Sequence, residues 1–195
     1  MTKARSDAVS GGPGAQPPAS VSQRATSGPT RTGPRRKLCA AKPPAAGKKP
    51  AATKLGHVEA TGETPLGDSL ELAPDGYTWI NLWAGWCGPC REEIPLLKTW
   101  EAKLGGKLKV QLLSIDDDER LAQRFLGEQP QGGVKRSYHL RPGDTRAEWL
   151  GSVGIHEVSQ LPMHVILDRS GAVACVASGA VDAADFAEVE TLVSK

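Results

Sequence analysis

The chain has 195 residues, and 24 Lys and Arg against 22 Asp and Glu leave a formal charge of only +2. That balance hides a split: residues 1–55 carry eleven bases and one acid, Asp7, for +10, and the rest carries −8. No stretch approaches the roughly eighteen apolar residues needed to cross a bilayer, and four cysteines are too few to staple a chain of this length.

Residues 1–55 hold eight of the fifteen prolines, with Gly, Ser, Ala and Thr between them and no aromatic residue. Such a segment buries too little apolar surface to offset its conformational entropy, so a disordered basic tail is expected over 1–55. Its charge suits an anionic surface, but a plain linker is the simpler reading. Met1-Thr2-Lys3-Ala4-Arg5 has no apolar run behind it, and Arg35-Arg36-Lys37 leads only into Leu38-Cys39-Ala40-Ala41-Lys42-Pro43-Pro44. Neither reads as an export signal.

The folded domain is expected over 56–195, beginning with short strands or a loop lead-in over 58–72. Tyr77–Ala84 is rich in β-formers and predicts a buried strand. Pro89 suits the first turn of the helix that follows, Gly105-Gly106 ends that helix near Leu104, and Pro95 should kink it. Leu108–Ile115 predicts a second buried strand. Asp116-Asp117-Asp118-Glu119 then opens a helix, placing acids at the positive end of its dipole. After the loop Gln129–Gly133, a short strand is expected within Val134–Leu140 and a helix over Thr145–Val153. Pro162–Asp168 and Ala172–Ser178 read as a hairpin around Arg169-Ser170-Gly171, and a last helix starts at Asp182 or Ala183. This order predicts an α/β fold, a mixed sheet with helices on both faces.

The chemistry lies in Trp86-Cys87-Gly88-Pro89-Cys90. Dithiol exchange needs two thiols within reach of each other, one of them an accessible thiolate. At a strand-to-helix junction, C-x-x-C places the first cysteine at the helix N-terminus, where free N–H groups and the dipole favour the thiolate. Cys87 is therefore the expected nucleophile and Cys90 the resolving thiol, the two closing as a Cys87–Cys90 disulfide. A zinc half-site would need two more ligands, and Cys39, Cys175 and the four histidines offer no recognisable pair. No metal and no cofactor is expected. Cys175, alone on an apolar strand, reads as an inert core thiol. His156 and His164 read as surface or satisfied polar positions. Trp79, Trp83, Trp100 and Trp149 read as packing residues, while Trp86 borders the nucleophile.

Trp83-Ala84-Gly85-Trp86-Cys87-Gly88-Pro89-Cys90-Arg91-Glu92-Glu93-Ile94-Pro95 resembles the active site of thioredoxin-like proteins, and its Cys-Arg-x-Glu-x-Pro extension is similar to the TlpA/ResA-like branch. The resemblance extends to Val153-Gly154-Ile155 and Leu161-Pro162 through Gly171. It implies a thioredoxin-like fold and thiol–disulfide oxidoreductase activity, in the direction of protein-disulfide reduction, with Gly88 and Pro89 supporting the pair. It also implies a cis peptide before Pro162 and a backbone at Leu161 that receives an extended substrate segment. Asn81 stands where ordinary thioredoxins carry a buried Asp, so Glu93 becomes the expected proton-transfer group.

The implied partners are protein thiols and disulfides and an upstream dithiol donor, with no specific nucleic acid, and the chain is expected to be monomeric. The branch implies the cell envelope or periplasm; the lack of a visible signal implies the cytoplasm. Two other readings are a dedicated apocytochrome c thiol reductase, which lacks a Gly-Pro-Glu-type signature at Pro162, and a module tethered to an anionic surface by its tail.

Overall fold

The computed structural model describes residues 37–39 and 42–195, and the rest of the expected tail lies outside the described residues. The sheet is built around β2 (Tyr77–Trp83), buried at every position but its first. Strands covered on both faces require near-continuous apolar sequence, which Tyr-Thr-Trp-Ile-Asn-Leu-Trp supplies at all but two buried positions. β3 (Leu108–Ser114) runs parallel to it. β5 (Met163–Leu167) runs antiparallel on its other side and sets Asn81 opposite His164. β6 (Val173–Ser178) completes the hairpin with β5. On the far side, β4 (Arg136–His139) lies parallel to β3, and β1 (Gly56–Glu59) lies antiparallel to β4. The strand order is β1-β4-β3-β2-β5-β6.

The helices are α1 (Gly88–Leu104), α2 (Glu119–Glu128), α3 (Asp144–Ser152) and α4 (Phe186–Val193), the last preceded by a 3-10 turn at Ala183–Asp185. This is the thioredoxin-like mixed sheet that the motif implied. Alternation along β2 separates two cores. Trp79 and Trp83 face Ile94, Leu97 and Trp100 of α1 and Val189 of α4. Ile80 and Leu82 face Trp149 of α3, Tyr138 and Val165. Trp79 meets Trp100 edge-on at 5.9 Å and Trp83 meets Phe125 at 5.1 Å. Burying a tryptophan contributes roughly 4–6 kcal/mol of hydrophobic stabilisation. α1 continues through Pro95 without a break and stops at Gly105, whose φ of 56° favours glycine.

The structure departs from the sequence reading at the N-terminal side of the domain. Residues 42–55, assigned above to the tail, form an arm on the folded body. Ala45 and Leu55 are buried, as is Leu38 before them. Gly47 N–H donates to the Val173 carbonyl at 2.9 Å, and Val173 N–H donates to the Lys48 carbonyl at 2.8 Å. The arm thus occupies backbone groups at the start of edge strand β6. Cys39 and Cys175 are joined in a disulfide, with S–S 2.06 Å. Cys175 is therefore a half-cystine and not the free core thiol expected. Composition points to a tail; buried side chains, backbone hydrogen bonds to β6 and the long-range disulfide hold this stretch in place.

Candidate active site

The turn from β2 into α1 carries Ala84-Gly85-Trp86-Cys87, and the geometry of this turn is dictated from beneath. A Cβ on Gly85 would lie 2.4 Å from the backbone of Leu121, so only glycine fits there. Gly85 N–H donates to both carboxylate oxygens of Asp116, at 3.0 and 2.9 Å, and the Ser114 hydroxyl donates to the same carboxylate at 2.8 Å. Asp116 is fully buried, and burial is the largest influence on it, raising its pKa above the ordinary carboxylate value against the opposing hydrogen bonds. Asp116 is thus an anchor for the turn and not a helix-start acid. Asp118 is the cap of α2, accepting from Arg120 N–H at 3.1 Å, and Asp117 pairs with Arg146 at 2.8 Å.

Cys87 is the N-cap of α1, with Gly88 and Pro89 forming the first turn. Its Sγ accepts from the Cys90 backbone N–H at 3.3 Å and is bonded to Cys90 Sγ at 2.04 Å. Cys90 is fully buried and Cys87 is 4% exposed, whereas Trp86 stands 65% exposed beside them. Trp86 and Leu161 both line a cleft of about 500 Å3, together with Ile115, Leu121, Arg146 and Val158. The Leu161–Pro162 peptide is cis, as the resemblance implied, and the Pro162 carbonyl accepts from Gly179 N–H at 2.7 Å. Trp86, Gly88 and Pro89 thus adjoin the cysteine pair within the turn and first turn of α1, and Leu161 lines the cleft that Trp86 borders.

Glu93 lies one helical turn beyond Cys90, fully buried. Its carboxylate accepts from Asn81 Nδ2 at 2.6 Å and from Val181 N–H at 2.8 Å. His164, which the sequence left without a role, is also fully buried: its Nδ1 accepts from the Trp79 indole at 3.1 Å and its Nε2 lies 3.9 Å from Glu93. The one available signal was a histidine inside an otherwise apolar strand, Met163-His164-Val165-Ile166. A buried polar side chain needs partners there, but the sequence does not name them.

A family model described as Redoxin matches residues 60–193. Among curated proteins, the chain is 32% identical over 121 residues to a thiol:disulfide interchange protein DsbE homolog of Paracoccus denitrificans, covering 62% of this chain and 60% of that protein. It is 35% identical over 54 residues to a thioredoxin of Rhodospirillum rubrum, covering 28% and 52%. The chain thus spans about half to three fifths of these relatives' length. A solved DsbF homologue from Corynebacterium diphtheriae superposes with a TM-score of 0.52 at 28% identity, covering 73% of this chain and 87% of that one.

Proposed function

This chain belongs to the Redoxin family, and we propose that it is a thiol–disulfide oxidoreductase that reduces protein disulfides through Cys87 and Cys90. The observation that carries this reading is the Cys87–Cys90 disulfide at the N-terminus of α1, beside an exposed Trp86 and an open cleft. In the reduced form, the Cys90 N–H and the helix dipole stabilise a thiolate at Cys87. That thiolate attacks a substrate disulfide, forms a mixed disulfide and expels one substrate thiolate. Cys90 then passes its proton to the Glu93 carboxylate, and its sulfur attacks Cys87 Sγ. The Cys87–substrate bond breaks, the Cys87–Cys90 bond forms, and the second substrate thiolate leaves and is protonated by solvent. Two electrons have moved from the pair to the substrate, and an upstream dithiol restores them.

Leu161 and Trp86 border the cleft where the segment around the substrate disulfide would lie, with Pro162 fixing the backbone there. The Cys39–Cys175 bond supports an oxidising compartment, hence the cell envelope, because such bonds persist outside reducing cytosol.

The test is insulin-disulfide reduction with Cys87→Ser, expected to fall to the uncatalysed rate; turnover at the wild-type rate would overturn the assignment. Cys90→Ala should accumulate mixed disulfides on Cys87. Equilibration with glutathione tests the direction: a potential near the thioredoxin value of about −270 mV supports a reductase, and one near the DsbA value of about −120 mV an oxidase.

A further inference from the structure

Behind the cysteine pair, four buried side chains from three elements form one polar chain in the interior: Trp79 and Asn81 of β2, His164 of β5 and Glu93 of α1. An indole N–H can only donate. His164 Nδ1 receives that N–H at 3.1 Å and faces Asn81 Nδ2 at 3.4 Å, so Nδ1 carries the lone pair and the ring proton sits on Nε2. Nε2 lies 3.1 Å from the Gly179 carbonyl, which takes its N–H, and 3.9 Å from Glu93 Oε2, a polar contact longer than a hydrogen bond. An imidazolium would require an N–H at Nδ1, pointing directly at the indole N–H. The geometry therefore keeps the ring neutral with one defined donor.

We propose that His164, locked by Trp79 as the Nε2–H tautomer, is a positioning residue that with Asn81 holds Glu93 in place to accept the Cys90 proton. This rests on the assignment of Cys90 and Glu93 above. The carboxylate form accepts from Asn81 Nδ2 at 2.6 Å and Val181 N–H at 2.8 Å, and His164 Nδ1, 3.4 Å from the same Asn81 nitrogen, holds that amide toward it. The acid form needs an acceptor for its O–H, and Asn81 Oδ1, buried and unpartnered, supplies one once the amide rotates. The charged groups on the neighbouring segment, Asp182 and Asp185, close a capping box with backbone N–H groups at 2.9 and 3.0 Å. β2 contributes no ionisable group here, β5 contributes His164, and α1 contributes Glu93 with the cysteine pair.

The experiment loads Cys87 with a coloured thionitrobenzoate group and follows its release by Cys90 across pH. The wild type should show an inflection at which Glu93 gains its proton, and Glu93→Gln should remove it. His164→Leu, which removes the acceptor that orients the Asn81 amide, should move the inflection alkaline by about one pH unit, the scale of a weakened Asn81 hydrogen bond to the charged carboxylate. His164→Gln, with one acceptor and one donor, should restore it. An unmoved inflection in His164→Leu, with Glu93→Gln still flattening the profile, overturns the role of His164 and leaves that of Glu93 standing. A profile unaltered by Glu93→Gln overturns both. Nitrogen NMR of the unsubstituted chain requires no variant to fold: it should find His164 as the neutral Nε2–H tautomer from about pH 5 to pH 8. An imidazolium or an Nδ1–H tautomer overturns the proposal.

Discussion

Cys175 of edge strand β6 is bonded to Cys39, 136 residues earlier in the chain. The bond closes a loop spanning nearly the whole domain and pins the arm that covers the start of β6. Cross-linking removes entropy from the unfolded chain, so losing a native bond of this kind costs about 2–5 kcal/mol. Cys39→Ser with Cys175→Ser should lower the unfolding free energy by that amount, and the denaturant midpoint with it, under oxidising conditions while insulin reduction persists. The arm over residues 42–55 should then be cleaved first in limited proteolysis. An unchanged midpoint would show that the unfolded chain gains nothing when the bond is removed.

Asp116 makes the stability of the active-site turn depend on pH in an uncommon direction. Burial raises its folded pKa above the ordinary carboxylate value of 3.8. Between those two values the folded chain binds more protons than the unfolded chain, so stability falls as pH rises. The stability of the wild type relative to Asp116→Asn should therefore be greatest at or below about pH 4, decline as pH rises through the folded pKa, and then level off. Chemical denaturation of both proteins across acid pH checks this. A wild type that gains on the variant as pH rises would show that the Gly85 and Ser114 hydrogen bonds outweigh burial.

How legible these features were in sequence follows from how local their causes are. β2, β3, β5 and β6 were readable because each is an apolar run bounded by turn residues, and α1 because Pro89 and Gly105 mark its ends. The cysteine pair was readable because its chemistry is contained in five consecutive residues. β1 was not, since four residues, of which only Val58 is buried, become a strand only by pairing with β4. The arm was not, because Leu38, Ala45 and Leu55 look no different in a tail. Within Asp116–Glu119 the sequence shows four equivalent carboxylates, and only the fold buries the first and makes Asp118 the cap. His164 is a lone polar letter until β5 is set against β2 and brings Trp79 to it.

Gly85 and Gly88 flank the same cysteine yet should respond oppositely to a methyl group. At Gly85 the new Cβ would meet the Leu121 backbone at 2.4 Å, so α2 or the turn must shift. Overpacking of this kind costs about 1–3 kcal/mol, and the shift would disturb the hydrogen bonds that hold the turn. At Gly88, nothing lies within 4 Å of a built Cβ. In the first turn of α1, alanine there also reduces the freedom of the unfolded chain, for a gain of up to about 1 kcal/mol. Thermal melts of Gly85→Ala and Gly88→Ala should move in opposite directions; a shared direction would mean the Leu121 contact relaxes freely.

Trp86 separates stability from activity most cleanly. At 65% exposed it buries little, and surface substitutions of this kind usually change stability by no more than about 0.5 kcal/mol. Trp86→Ala should therefore melt with the wild type. In the proposed mechanism, however, its ring is an apolar wall of the cleft beside Cys87. Removing an aromatic contact worth about 1–2 kcal/mol to a bound polypeptide should reduce kcat/KM for protein disulfides by roughly 5–30-fold. A small disulfide that never reaches the cleft should react with Cys87 at nearly the wild-type rate, because Cys87 keeps its helix N-terminus and the Cys90 N–H. Equal losses for both substrates would place the effect of Trp86 on the thiolate itself, and no loss for either would remove Trp86 from the substrate surface.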